Sequence, residues 1–220
     1  MENLRFFTYK EAQVGIARID HYSNFSFDDN QRFEKMFKLF KHDRRKNEWI
    51  SSRILAEKVA HKNFDEIVYS AEGKPYCLDG SKISISHSRH FTAVIWHKTS
   101  EVGIDVDELR PQVFKIKEKF LSESEQKLIL TGFSLETLTA FWCAKEALYK
   151  LYGLKQLQFN QHIQIRKAQL EVENGWLQGL LDTKVEKGDI VFNTQVAIMQ
   201  VAEFMLAYAV ADLSKGQNIG

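Results

Sequence analysis

Cysteine is nearly absent: of 220 residues only Cys77 and Cys143 carry thiols, 66 positions apart and outside any Cys-x-x-Cys or Cys/His spacing. That argues against a disulfide framework and against a zinc site, and leaves two buried reduced thiols as the expectation. Proline is as scarce, at two, and no Pro/Gly/Ser-rich linker or low-complexity tract interrupts the chain. Disordered and collagen-like classes are thereby excluded, and any two lobes should pack closely. A charge excess is missing too: 30 Lys and Arg balance 29 Asp and Glu, for a net charge of +1. No global field draws in nucleic acid or a membrane surface, so charge recognition has to be local. The longest apolar run, Phe204 to Ala211, falls far short of the ~20 residues of a spanning helix. The opening MENLRFFTYK has no hydrophobic signal core, and the expectation is a cytoplasmic protein. Neither G-x-x-x-x-G-K-[ST] nor G-x-G-x-x-G occurs, so phosphate chemistry, if present, uses no standard nucleotide loop.

What is present is a globular composition, 44% hydrophobic and 27% charged. A chain of this length buries roughly 70% of its extended surface. RFFTY at 5–9 and VGIARI at 14–19 read as strands. Phe33, Met36, Phe37 and Phe40 recur with helical period, and Trp49, Ile50, Ile54 and Leu55 renew it after a charged stretch. IVYSA from 67, ISIS at 83–86, TAVIW at 92–96 and VGIDVD at 102–107 read as an antiparallel meander. Helical pattern returns at 113–121, and Ser122 to Glu125 has the Ser-x-x-Glu form of a capping box. A longer helix is predicted from Ser134 to Gly153, followed by strands at 162–172, 190–200 and 203–212. Helices followed by strands thus occur twice. The fold class expected is α+β, with two similarly built halves, 1–107 and 108–220, each packing helices on a mainly antiparallel sheet.

Asp105 and Asp107 stand two apart on a predicted strand, so their carboxylates leave one face. Adjacent carboxylates repel unless a hard cation such as Mg²⁺ sits between them; a polar strand end facing solvent is the plainer alternative. On the long helix Glu146 and Lys150 share a face four residues apart, whereas Lys145 is rotated by about 100°. Such a pair is also common on helix surfaces, where it contributes ~0.2–0.5 kcal/mol. His87, between two predicted strands, is by itself compatible with an ordinary hydrogen-bonded role.

Taken in order, GKP at 73–75, ISHS at 85–88, GIDVD at 103–107, FLSESE at 120–125 and FWCAKEALYK at 141–150 resemble the 4′-phosphopantetheinyl transferase superfamily. Its pattern is similar to G-I-D-x-E followed some forty residues later by W-x-x-K-E-A-x-x-K, and here Glu146 lies 41 residues after Asp105. The resemblance runs from about residue 44 to 153. By length and doubled element order the chain is similar to the longer, surfactin-synthetase-activator type, which implies a monomer with its active site in a cleft between halves. The first half would carry the coenzyme A contacts and the first metal-ligand motif, and the second the W-x-x-K-E-A-x-x-K helix.

The resemblance implies transfer of the phosphopantetheine arm of coenzyme A onto a serine of an acidic acyl, peptidyl or aryl carrier protein, with release of 3′,5′-adenosine bisphosphate. Asp105, Asp107 and Glu146 would hold Mg²⁺, and Glu146 would take the serine proton. Lys150 would stabilise the phosphates. His87, beside Ser86, would bind a coenzyme A phosphate; Lys74 and Pro75 would lie against the adenine nucleotide, Arg53 near the 3′-phosphate, and Lys145 at another part of the site. Asp107 stands where Glu is common, so its metal contact could run through water, while Glu108 should face away. Cys143, where a small hydroxyl residue is frequent, reads as packing. The carrier would dock on a local basic surface, either Lys35, Lys38, Lys41, Arg44, Arg45 and Lys46 or Lys115, Lys117 and Lys119. Competing classes are a Mg²⁺-dependent nucleotide pyrophosphate hydrolase using the same carboxylates, and an RNA-binding adaptor, for which no RNP-type string is present.

Overall fold

The computed structural model describes residues 4–19, 40–63, 66–129, 134–154 and 156–213. The predicted helical stripe of Phe33, Met36 and Phe37, with Lys35 and Lys38, lies outside the described residues.

Alternation of side chains decides how the strands stack. Strands β1 (Leu4–Tyr9), β2 (Ala12–Arg18), β5 (Lys82–His87) and β6 (Phe91–His97) form an antiparallel sheet in the order β1-β2-β6-β5. A second sheet runs β7-β11-β10-β9-β8, built from β7 (Glu101–Glu108), β8 (Ile163–Glu173), β9 (Trp176–Lys187), β10 (Ile190–Val201) and β11 (Phe204–Ala211). Short β3 (Ile67–Tyr69) and β4 (Pro75–Cys77) pair separately. In β11 every residue is buried, because alternate side chains enter two different cores. Phe204, Leu206, Tyr208 and Val210 meet Val14, Ile16, Ala93 and Ile95 of the first sheet. Met205, Ala207, Ala209 and Ala211 instead join the core of the long helix.

Helix α1 (Asp43–Ala60) covers the outer face of the first sheet through Ile50, Leu55 and Val59. After β7 come α2 (Gln112–Phe120), α3 (Glu123–Leu128), α4 (Leu135–Tyr152) and the single turn α5 (Phe159–His162). The predicted capping box is present: Ser122 accepts from Glu125 N–H while Glu125 accepts from Ser122 N–H. Helix α4 begins at the predicted cap, Ser134, and ends at Gly153 with φ of 75°, a left-handed turn that suits glycine. Its apolar face, Leu138, Phe141, Leu148 and Leu151, is buried on the second sheet.

The α+β class with antiparallel sheets therefore holds, with two differences of detail. The region 67–107 is not one meander. Strand β7 leaves β5 and β6 and pairs along its length with β11, so the second sheet takes its edge strand from the first 107 residues. Its other edge faces β5, where Ile104 N–H and Val106 N–H donate to the hydroxyls of Ser84 and Ser86 at 3.3 Å each. Two serines thus satisfy donors that a neighbouring strand would normally take. The other difference is β9, which no expectation covered; its polar positions mask the period until it pairs with β8 and β10. No helix among the described residues is long and apolar enough to cross a membrane.

Candidate active site

Gly103, Asp105 and Asp107 occupy one face of β7, and the glycine decides what they meet. A Cβ on Gly103 would lie 2.0 Å from the Ala147 carbonyl oxygen, so only glycine lets α4 lie this close to β7. That approach brings the next helix positions, Trp142, Glu146 and Lys150, over the two aspartates. A cavity of about 520 Å³ is shared by Asp105, Asp107, Glu108, Trp142 and Glu146 on one side and by Arg44, Arg45, Glu48 and His87 on the other. Arg89 and Arg110 stand at its rim.

Asp105 is buried, and its Oδ1 accepts from Lys150 Nζ at 2.7 Å and from Ser86 Oγ at 2.8 Å. Asp107 Oδ1 accepts from Arg110 Nη2 at 2.6 Å and from Glu108 N–H at 2.8 Å. Burial raises the Asp107 carboxyl above its ordinary value, opposed by Arg110. Glu146 has no hydrogen-bond or ion-pair partner among the described residues; burial, then the Asp105 charge, push its carboxyl up to about 7. An unpartnered carboxylate facing two aspartates is a concentration of hard oxygen donors and unbalanced charge, and this donor set fits Mg²⁺. In this structure the ammonium of Lys150 supplies the positive charge, and no three His, Cys, Asp or Glu side chains among the described residues converge closely enough to enclose an ion.

At the opposite pole Glu48 is buried between cations. Its Oε1 accepts from Arg44 Nε at 2.7 Å and its Oε2 from Arg45 Nη1 at 2.9 Å. His87 Nε2 lies 3.3 Å from Arg45 Nη1 and 3.4 Å from Glu48 Oε2. Burial lowers the His87 imidazole from its ordinary value, Arg45, Lys150 and Arg44 lower it further, and Glu48 opposes them. Past His87 the cavity adjoins a space of about 240 Å³ walled by Trp49, Tyr69, Pro75 and Ile85. A third, of about 190 Å³, is lined by Lys74, Pro75, Tyr149 and Lys150.

Of the residues picked out by sequence, Asp105, Asp107, Glu146 and His87 share the main cavity, and Lys150 reaches it through Asp105. Ser86 is beside His87 but turns inward to Asp105. Lys74 does border a cavity, yet its Nζ is held by Glu101 Oε2 at 2.8 Å and by the Leu151 carbonyl at 2.9 Å.

Three expectations are corrected. Lys145 is not at the site: it is fully buried on the far side of α4, donating to Glu125 Oε2 and to the carbonyls of Phe120, Phe159 and Ile163 at 2.7–2.9 Å. Its azimuth on the helix differs from that of Lys150 and leads into protein, where burial lowers its pKa from the ordinary value. Arg53 is likewise buried, 4% exposed, with its guanidinium 4.5 Å from the Tyr69 ring centroid, so it backs the wall that Trp49 and Tyr69 form without lining a cavity itself. Glu108 does border the cavity, where it pairs with His90 at 3.2 Å, because the strand ends there. Cys143 is buried as expected, with burial holding its thiol far above the ordinary value.

In the sequence Arg44 and Arg45 stand out as docking charges, and Glu48 does not stand out. The available signal was their spacing, Glu48 standing three and four residues after the two arginines on a predicted helix.

Residues 101–198 match the family model described as the 4′-phosphopantetheinyl transferase superfamily. The match begins at β7 and contains the aspartates and α4, so this part of the chain is similar to that superfamily. Two curated relatives, from Salmonella typhi and Salmonella typhimurium, each carry the name 4′-phosphopantetheinyl transferase AcpT. They are 28% and 29% identical to this chain over 120 residues, which is 50% of this chain and 60% of each relative. The similarity thus spans less than two thirds of the relatives' length.

Proposed function

We propose that this protein transfers the 4′-phosphopantetheine arm of coenzyme A onto a serine hydroxyl of an apo carrier protein, with release of 3′,5′-adenosine bisphosphate. The observation that carries the reading is the meeting of Asp105, Asp107 and Glu146, with Lys150 paired to Asp105, at one cavity whose other wall is Arg44, Arg45 and His87. The similarity of residues 101–198 to the superfamily and the names of the two relatives support it.

Asp105, Asp107 and Glu146 would hold Mg²⁺, which when bound neutralises charge on the pyrophosphate. Ser86 and Val106 N–H fix the strand end that presents Asp105, since Ser86 Oγ donates to the carboxylate while accepting from that amide. Lys150, a compact cation on the same carboxylate, stabilises charge growing on the leaving phosphate. The carrier serine oxygen attacks the phosphorus that bears the pantetheine arm, and the bridging P–O bond breaks toward the nucleotide. The serine proton passes to Glu146, directly or through a water. The nucleotide end extends past His87 toward Trp49, Tyr69, Lys74 and Pro75.

The protein is a monomer of the longer, surfactin-synthetase-activator type, its site in a cleft between two related halves. In support, each of the two sheets carries a helix laid on a strand glycine, α1 on Gly15 and α4 on Gly103. The carrier is acidic and docks beside the cavity on α2, where Lys115 and Lys119 are exposed.

The experiment is to incubate the protein with Mg²⁺, coenzyme A and an apo acyl carrier protein and weigh the carrier by intact-mass spectrometry, with and without chelator. A chelator-sensitive gain of one phosphopantetheine is expected. No gain on acyl, peptidyl or aryl carriers, with coenzyme A hydrolysed instead, would overturn the transfer reading in favour of a pyrophosphate hydrolase.

A further inference from the structure

Glu48 is a carboxylate in the wall of what the proposed function makes an anion site, where Coulomb's law alone argues against it. It is 3% exposed, and nothing in the transfer chemistry uses it. The two arginines it holds have side chains 66% and 60% exposed. Each arginine therefore reaches back from solvent to a buried acceptor, and each engages it through one nitrogen, Nε of Arg44 and Nη1 of Arg45. A guanidinium has five N–H donors in a rigid fork, so fixing one nitrogen sets the plane of the remainder. The same Glu48 oxygen that holds Arg45 lies 3.4 Å from His87 Nε2, which links α1 to the end of β5 across the cavity. Left without Glu48, two long side chains and an imidazole would repel one another and spread into solvent, each with rotamer entropy to lose on binding.

We propose that Glu48 is a positioning residue: it gathers Arg44, Arg45 and His87 into a preformed clamp for the phosphates of the nucleotide. The proposal rests on the coenzyme A reading above. Coulomb's law and positioning predict opposite signs. If Glu48 only contributed charge, its removal would make the wall more positive and tighten anion binding. If it positions, removal weakens binding although the wall becomes more positive. Shortening the side chain while keeping its charge separates the two ideas again, since Glu48→Asp alters reach alone.

The test is calorimetric binding of coenzyme A to wild type, Glu48→Gln and Glu48→Asp, with the cooperativity of each variant's unfolding checked by urea melts. Both variants are expected to bind about tenfold more weakly, the size of losing a charge-assisted hydrogen bond. In transfer assays KM for coenzyme A should rise more than kcat falls. Tighter or unchanged binding by Glu48→Gln, or wild-type affinity in Glu48→Asp, would overturn the role of Glu48 while leaving the transfer reading intact. Absence of coenzyme A binding by wild type would overturn the transfer reading itself. Should Glu48→Gln fail to fold, Glu48→Asp decides.

A readout that needs no ligand is the imidazole titration of His87 by NMR, assigned from its loss in His87→Gln. The groups facing it are Glu48, Arg45 and Arg44 on α1 and Lys150 on α4. With Glu48 the lone anion among them, Glu48→Gln should move the midpoint to lower pH. An unmoved midpoint would mean that Glu48 has no hold on the ring and would overturn the clamp.

Discussion

Gly103 and Ala147 are in such close register that a single methyl on the glycine would enter the carbonyl oxygen of the helix, 2.0 Å away. The carboxylates of β7 share a cavity with Glu146 of α4, and Lys150 reaches Asp105, because of that contact. Gly103→Ala is therefore expected to destabilise by about 3 kcal/mol, the upper end for overpacking, since a helix backbone cannot move aside as a side chain can. Gly15→Ala is the control. Its nearest obstruction is the side chain of Val59, at 2.5 Å, and the loss should be smaller. Urea melts of both variants check the order, and Gly103→Ala should also lose transfer activity out of proportion to stability.

Asp105→Asn and Glu146→Gln remove charge from the oxygen cluster with little change in shape. Each is expected to lower transfer by at least about a thousandfold, as expected when electrostatic stabilisation at a reacting phosphate is lost. Chromatographic behaviour and melting should stay near wild type. Initial rates across Mg²⁺ concentrations check this, and near-normal turnover in either variant would refute the site.

The raised carboxyl of Glu146 makes a prediction about pH. Its pKa in the folded protein is about 7, above the ordinary value of 4.5, so without a divalent ion the folded state holds the proton more tightly than the unfolded chain. Its contribution to stability is fully present below about pH 4.5 and is lost as pH rises through 7. In chelator, Glu146→Gln should then melt a few degrees above wild type at pH 8, with the gap closing toward pH 5. Binding of Mg²⁺ requires the carboxylate, so affinity should rise with pH across the same window. Thermal melts and metal titrations at pH 5, 6, 7 and 8 test both statements.

Lys145 and Lys150, five residues apart on α4, should fail in different ways. Lys145→Met leaves Glu125 buried without its cation and frees three carbonyls, and should cost about 3–5 kcal/mol of stability. Lys150→Met lies at the cavity and should lower kcat more than it raises KM for coenzyme A, with little loss of stability. Denaturation curves beside steady-state kinetics distinguish them.

Much of this could be read along the chain. The capping box at Ser122 and Glu125, the cap at Ser134 and the stop at Gly153 are local chemistry, in which each residue satisfies or ends the backbone around it. Asp105 and Asp107 on one face follow from the two-residue period of a strand, and Glu146 with Lys150 from the four-residue step of a helix. Which partner each edge and each azimuth would meet was not legible. The partner of β7 is β11, about a hundred residues away, and strand pairing carries no sequence signal at that distance. Lys145 and Lys150 are both lysines of the same motif, yet one is enclosed by α3, α5 and β8 while the other reaches Asp105. Arg53 and Arg44, on one helix, divide in the same way between core and cavity.

The sequence by itself determined most of the elements, their caps and which side chains share a strand or helix face, because those depend on chemistry within a few positions. Only the tertiary structure decided which of those side chains face one another. It set Glu48 beneath two arginines and a histidine, and Lys145 in the core, because burial and charge partners are fixed by packing between segments remote in the chain.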